Sequence, residues 1–213
     1  MVPLASAVNI MICGLTAAGK TTHARRLARE RGLRYVSAVE AIAAISGTGK
    51  VQATDSTFWT SPDGQKLDAR RRQEAWIDEQ LDQELKRLSL DSVPSVFDTF
   101  GLPWISPAPA IRVWLESSYE SRLLKAAVSH LGDPDVRQED LPEVIRNKDQ
   151  FIRDDFLKRY GFDIFQDRAV FDVVIDISPY IKEATFVASE ASIRLSHEVL
   201  EEALGAIDST STS

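Results

Sequence analysis

Ala7-Val8-Asn9-Ile10-Met11-Ile12-Cys13-Gly14-Leu15-Thr16-Ala17-Ala18-Gly19-Lys20-Thr21-Thr22 decides the reading of the whole chain. An apolar, Val- and Ile-bearing run ends at Gly14. Gly14, Gly19, Lys20 and Thr21 then fit G-x-x-x-x-G-K-[ST], and a helical pattern follows. A strand, a glycine-containing loop and a helix in that order wrap backbone N–H groups around phosphates at the positive end of the helix. The loop positions expected against the phosphates are Gly14, Ala17, Ala18, Gly19, Lys20, Thr21 and Thr22. Lys20 is expected to reach the outer phosphates, and the Thr21 hydroxyl to ligate Mg²⁺.

The chain has 213 residues, 44% of them hydrophobic, enough for one core of ordinary size. The formal net charge of -7 speaks against a nucleic-acid scaffold. No apolar run approaches the length of a membrane span. Cys13 is the single cysteine, so no internal disulfide can form, as suits a reducing cytoplasm. It reads as a small buried hydrophobe in the first strand. His23, His130 and His197 show no metal-binding spacing, and the last two read as surface or helix-end residues.

Outward from the loop, strands and helices alternate. Helix is expected from Thr21 to Arg31, strand over Leu33–Ser37 and a short helix over Ala38–Ile45. Gly47–Gly64 reads as a loop, in which Phe58 and Trp59 either line a pocket or staple the loop to the core. Leu67–Leu88 reads as one long helix with Ile77, Leu81, Leu85 and Leu88 on a stripe. Arg70, Arg71 and Arg72 at its start read as a solvated face, with Arg70 and Glu74 at pairing distance, or else as a phosphate contact. Strands follow at Val93–Asp98, Ala110–Leu115 and Val170–Ile177. Gly101–Pro109, rich in Pro, is expected to be non-helical. A helix runs from Ser117 or Ser118 to about His130. Another runs from Leu141 to Tyr160, and a last from Lys182 to about Ile207. The fold class is α/β, a five-stranded parallel sheet with helices on both faces and a helical lid. One domain is expected over 1–207. Its 38–90 excursion forms the acceptor region and 122–160 the lid, with a frayed tail at 208–213.

Ligands bind at the carboxyl ends of such strands. Asp98 ends an apolar strand, where a carboxylate needs a metal, Lys20 or a substrate hydroxyl beside it. Cations over a transferring phosphoryl group are available from Arg122, Lys125, Arg137, Arg146, Lys148 and Arg153. A nucleotide-dependent phosphotransferase needs this set of parts, ATP and Mg²⁺ included. A competing class is a regulatory GTPase. Asp98-Thr99-Phe100-Gly101 has the D-x-x-G form, and Asn147-Lys148-Asp149 resembles part of a guanine-reading motif. There, however, the aspartate comes one residue early, on a helical pattern.

Four stretches carry a resemblance: GLTAAGKTT at 14–22, LRYVSAVEAI at 33–42, AIRVWLESSYESR at 110–122, and 148–176 with its Tyr160-Gly161-Phe162-Asp163 element. The chain resembles the cytidylate kinase-like branch of the nucleoside-monophosphate kinases. The resemblance implies ATP·Mg²⁺-dependent transfer to a small-molecule acceptor, CMP, dCMP or a related pyrimidine nucleotide. It implies catalytic roles for Lys20, Asp98 and Arg153, metal binding by Thr21 and Asp98, and Arg122 on the donor phosphates. Ser37, Glu40, Arg146, Lys148 and Arg153 are then expected to bind the acceptor. The sequence departs from the family after the second strand, where Ser37-Ala-Val-Glu40 lacks the usual glycine and phosphate-gripping arginine. An acceptor hydroxyl, with Asp98 or Glu40 as base, is the other reading.

Overall fold

The structure, a computed structural model, describes residues 8–47, 58 and 62–210. Strands β1 (Asn9–Cys13), β2 (Arg34–Ser37), β3 (Ser95–Asp98), β4 (Ala110–Glu116) and β5 (Val173–Asp176) form one parallel sheet in the order β2-β3-β1-β4-β5. β1 is central, and all five of its residues are buried. Its side chains alternate between faces. Ile10 and Ile12 pack with Ala24 and Leu27 of α1 (Lys20–Arg31) and Leu200 and Leu204 of α8 (Phe186–Thr210). Met11 packs on the other face with Phe97 and Leu85. The expected sheet and its two helical layers are therefore present.

Helix α2 (Ala38–Ser46) begins at Ser37, whose hydroxyl accepts from the Glu40 amide at 3.3 Å. The helix expected over Leu67–Leu88 is two: α3 (Pro62–Gln73) and α4 (Trp76–Ser89). Arg70 grips Glu74 through two hydrogen bonds, and the Glu74 carbonyl accepts from Ile77, so the ladder closes at a turn and restarts. The break keeps Leu67 and Ile77 in one cluster with Ile42 and Phe58. Phe58, 5% exposed, is thus a core staple. Trp59 and the rest of the 48–61 loop lie outside the described residues.

The Pro-rich stretch contains a single turn, α5 (Leu102–Ile105), against expectation. Pro103 lies in the first turn, where its missing N–H leaves no hydrogen bond unmade. This turn sets Trp104 against Phe162, ring centroids 4.6 Å apart, and edge-on to Phe171. Helices α6 (Tyr119–Ser129) and α7 (Leu141–Tyr160) follow β4. α8 extends past the expected end to Thr210, and 211–213 lie outside the described residues. His130 and His197, expected at the surface or at helix ends, are each 2% exposed, His130 capping the end of α6 and His197 lying within α8. His197 stacks on His23 of α1 and reaches Glu30, so these polar rings fasten α8 to α1. Burial first, and His197 second, push the His23 pKa down to about 3, which leaves it neutral at pH 7. Among the described residues, no helix is long and apolar enough to cross a membrane.

Candidate active site

The loop between β1 and α1 is held open by its neighbours. A Cβ on Gly14 would lie 2.7 Å from the Leu115 carbonyl oxygen, so only glycine lets β1 and β4 approach there. Gly19 takes φ 95° as it delivers the first residues of α1. Ala17, the one non-glycine residue with positive φ (61°) among the described residues, packs against the α6–α7 cluster. The Lys20 ammonium lies back over the loop, donating to the Leu15 carbonyl at 2.8 Å and resting 4.0 Å from the Phe100 ring centroid. Burial lowers its pKa, and Asp98 and Asp149 oppose that shift.

Sheet order brings Asp98 to this loop, since β3 lies directly beside β1. Asp98 Oδ2 accepts from Thr21 Oγ1 at 2.6 Å and from the Tyr35 hydroxyl at 3.1 Å. The carboxylate therefore fixes the hydroxyl expected on Mg²⁺. From the other side, α6 and α7 clamp Thr16. Asp149 Oδ1 accepts from the Thr16 amide at 2.9 Å, and Arg122 Nη1 donates to the Thr16 carbonyl at 3.0 Å. Arg122 and Asp149 form a buried ion pair at 2.5 Å.

ATP with Mg²⁺ fits these residues. Thr16 Oγ1 and Arg122 Nε are buried and have no hydrogen-bond partner among the described residues, although they belong to the loop's own wall. Lys20, Arg122 and Lys125 gather positive charge where backbone N–H groups already converge. Lys125, bonded to Ser117 Oγ at 3.1 Å, has its pKa lowered to about 8 by burial first and Arg122 second. Below that pH it is charged, and above it the site loses one cation. Affinity for ATP should fall as pH rises through about 8. In Lys125→Arg, which stays charged, the decline should vanish. Calorimetric titration with a non-hydrolysable analogue from pH 6.5 to 9.5 checks this, and matching profiles for both proteins would refute it.

One cavity of about 460 Å³ runs past the loop. Thr16 to Thr22, Asp98 and Lys125 line it at the loop. Beyond Asp98 it continues between α2, α4 and α7. Lining this far side are Arg71, Asp78, Asp82 and Arg159; of these the sequence raised only Arg71, within a group read as a solvated face or else as a phosphate clamp.

The residues expected on the acceptor lie outside this lining. Ser37 is buried as a helix cap, and Glu40 is exposed over a separate groove between β2, α2 and α4. Arg153 is held by Asp163 through bonds of 2.9 and 2.6 Å, outside the cavity lining. Arg146 lies over the Tyr119 ring. Lys148 is 2% exposed, with its ammonium 4.0 Å from Asp68 and its pKa well lowered by burial. Arg137 pairs with Asp140 at the surface. Asn147-Lys148-Asp149 lies within α7, and Asp149 holds the loop instead of reading a base. Cys13 is fully buried, and burial raises its thiol pKa well above the usual value, as suits a packing residue.

No curated protein matches the chain in sequence. Among solved structures it is similar to an uncharacterized protein from Eubacterium ventriosum ATCC 27560, at 10% identity and TM-score 0.60, covering 94% of this chain and 99% of that one. It is also similar to two shikimate kinases. That from Bacteroides thetaiotaomicron has 16% identity and TM-score 0.51, over 91% of this chain and 98% of that one. That from Acinetobacter baumannii, in complex with shikimate, has 17% identity and TM-score 0.51, over 94% and 95%. These likenesses support the P-loop kinase fold. The cytidylate kinase-like family model matches residues 9–179, from β1 to just past β5. The chain is an ATP-dependent kinase of the cytidylate kinase-like family.

Proposed function

We propose that the chain, acting in the cytoplasm, transfers the γ-phosphoryl group of Mg·ATP to a hydroxyl of a small molecule seated between α2, α4 and α7. The observation that carries this is the placement of Asp98: one oxygen holds Thr21 and Tyr35, and its residue lines the cavity at the junction of loop and acceptor side. Bound Mg·ATP supplies the phosphoryl group and the metal's charge. Lys20 and Lys125 stabilise charge developing on the transferring group, and Arg122, paired with Asp149 behind the loop, holds Thr16. The acceptor oxygen bonds to the γ-phosphorus, and the bond to the β–γ bridging oxygen breaks with its electron pair leaving on ADP. The acceptor's proton goes to Asp98, whose Oδ1 has no hydrogen-bond partner among the described residues.

A nucleoside monophosphate, CMP or dCMP above all, is the second reading, and family membership favours it. Such an acceptor needs guanidinium clamps and no base. Arg146 and Arg153 stand outside the cavity lining, which weighs for the hydroxyl. A coupled ADP-release screen over nucleoside monophosphates, nucleosides and non-nucleotide alcohols separates the two. Turnover is expected with an alcohol and with no monophosphate. Turnover with CMP would overturn the hydroxyl reading.

A further inference from the structure

The joint between α1 and α8 carries a chain of polar groups whose hydrogens follow from their partners. Ser196 Oγ donates to the Ser192 carbonyl at 2.6 Å and lies 3.1 Å from His23 Nε2. Its one hydrogen goes to the carbonyl, so Oγ accepts from His23, whose proton is then on Nε2. His23 is neutral, and its Nδ1 is therefore an acceptor. His197 Nδ1 stands 3.3 Å from it and is the donor of that pair. A neutral His197 then presents Nε2 as a bare lone pair.

That lone pair faces two carboxylates. Glu30 Oε2 is 2.8 Å from Nε2 and Glu201 Oε1 is 3.9 Å from it, and the three atoms lie within 4.8 Å of one another. The other oxygen of each carboxylate is held by an arginine. Glu30 Oε1 accepts from Arg26 and Glu201 Oε2 from Arg31, both at 2.8 Å. Glu201 Oε1 is buried and has no hydrogen-bond partner among the described residues. A proton on His197 Nε2 would satisfy Glu30 but leave Glu201 Oε1 unmatched, beyond hydrogen-bond reach. A metal ion between the three atoms satisfies all of them.

We propose that Glu30, His197 and Glu201 form a Zn²⁺ site that staples α8 to α1. An imidazole among the ligands favours Zn²⁺ over Mg²⁺ or Ca²⁺, which take oxygen ligands. Three protein ligands at about 2.0–2.2 Å leave a fourth position for water. The His197 ring is 2% exposed, and its Nδ1–H bond to His23 fixes Nε2 toward the carboxylates. The Glu30 and Glu201 side chains, 37% and 34% exposed, give an ion its path from solvent. None of the three lines the cavity at the phosphate loop, so this site is separate from the Mg²⁺ expected on Thr21. His197 and Glu201 are one turn apart on α8 and Glu30 comes from α1, which is why histidine spacing along the chain gives no sign of it.

The test is a calorimetric titration of the full chain, dialysed against chelator, with ZnCl₂ in excess Mg²⁺. Uptake of one ion per chain is expected, with a Kd of about 1 µM or tighter. Bound zinc should also raise the melting temperature. Glu201→Gln keeps an acceptor for Arg31 and should weaken zinc binding by at least about tenfold. His197→Gln should abolish both the uptake and the melting shift. If His197→Gln melts early by itself, Glu201→Gln decides, since its side chain is partly exposed. No zinc uptake by the wild type, uptake unchanged in Glu201→Gln or in a folded His197→Gln, or uptake without a rise in melting temperature would overturn the proposal.

Discussion

Lys20→Ala should lower kcat for phosphoryl transfer by about a hundred- to a thousandfold, the loss typical when one preorganised charge-stabilising donor is removed. The fold should hardly notice. Lys20 is 8% exposed, and among the described residues its ammonium donates only to the Leu15 carbonyl, which also accepts from the Ala18 amide at 3.1 Å. Its removal therefore leaves no buried acceptor unpaired. Burial already lowers its pKa, so its charged form is held at a cost that the alanine variant does not bear. Melting by circular dichroism should stay close to wild type, while ADP release nearly disappears. A variant that kept most of its turnover would show that the loop does not act on the transferring group.

That loop was legible because its meaning is local. A strand, two glycines, a lysine and a threonine lie within a dozen residues, and their spacing alone implies the geometry. Asp98 was legible for a related reason. A carboxylate at the end of an apolar strand is unexplained until a ligand or partner is found, and β3 beside β1 supplies both Thr21 and Lys20's loop. The acceptor side was not legible. Arg71 belongs to a run of three arginines, and its neighbour Arg70 pairs with Glu74 at the helical spacing that suggests a solvated face. Arg71 points inward because the chain turns at Glu74 and Ala75, which brings Asp78 to it. Nothing in the apolar stripe of α4 announces that turn. Asp82 meets Arg159 across 77 residues, and one sequence carries no sign of such a pairing. His197 illustrates the same limit. A polar residue on the last helix reads as exposed until α8 packs on α1 and presents Glu30.

Asp149 resembles part of a guanine-reading pattern in the sequence, and its position in the fold assigns it a larger effect. It holds the Thr16 amide with one oxygen and Arg122 with the other, and Arg122 in turn holds the Thr16 carbonyl. Side-chain exposures of 7% and 5% make this a buried ion pair. Removing one member of such a pair leaves the other charge uncompensated, at a cost of about 3–5 kcal/mol. For a chain of this length each kcal/mol moves the melting point by about 2–4 °C, so Asp149→Ala should melt roughly 6–20 °C below wild type. ATP affinity should fall as well, because Thr16 loses the anchor that sets the loop. The double variant Arg122→Met with Asp149→Ala separates the two effects. Removing the stranded guanidinium should restore most of the lost stability, since an apolar pair of similar volume often replaces a buried ion pair at no cost. It should not restore ATP binding, which needs the loop that Asp149 and Arg122 anchor. Thermal melts and analogue titrations on the three proteins give the answer. A single variant that melts with wild type would show that the pair carries no stability. A double variant that binds ATP as wild type does would show that α6 and α7 do not set the phosphate loop.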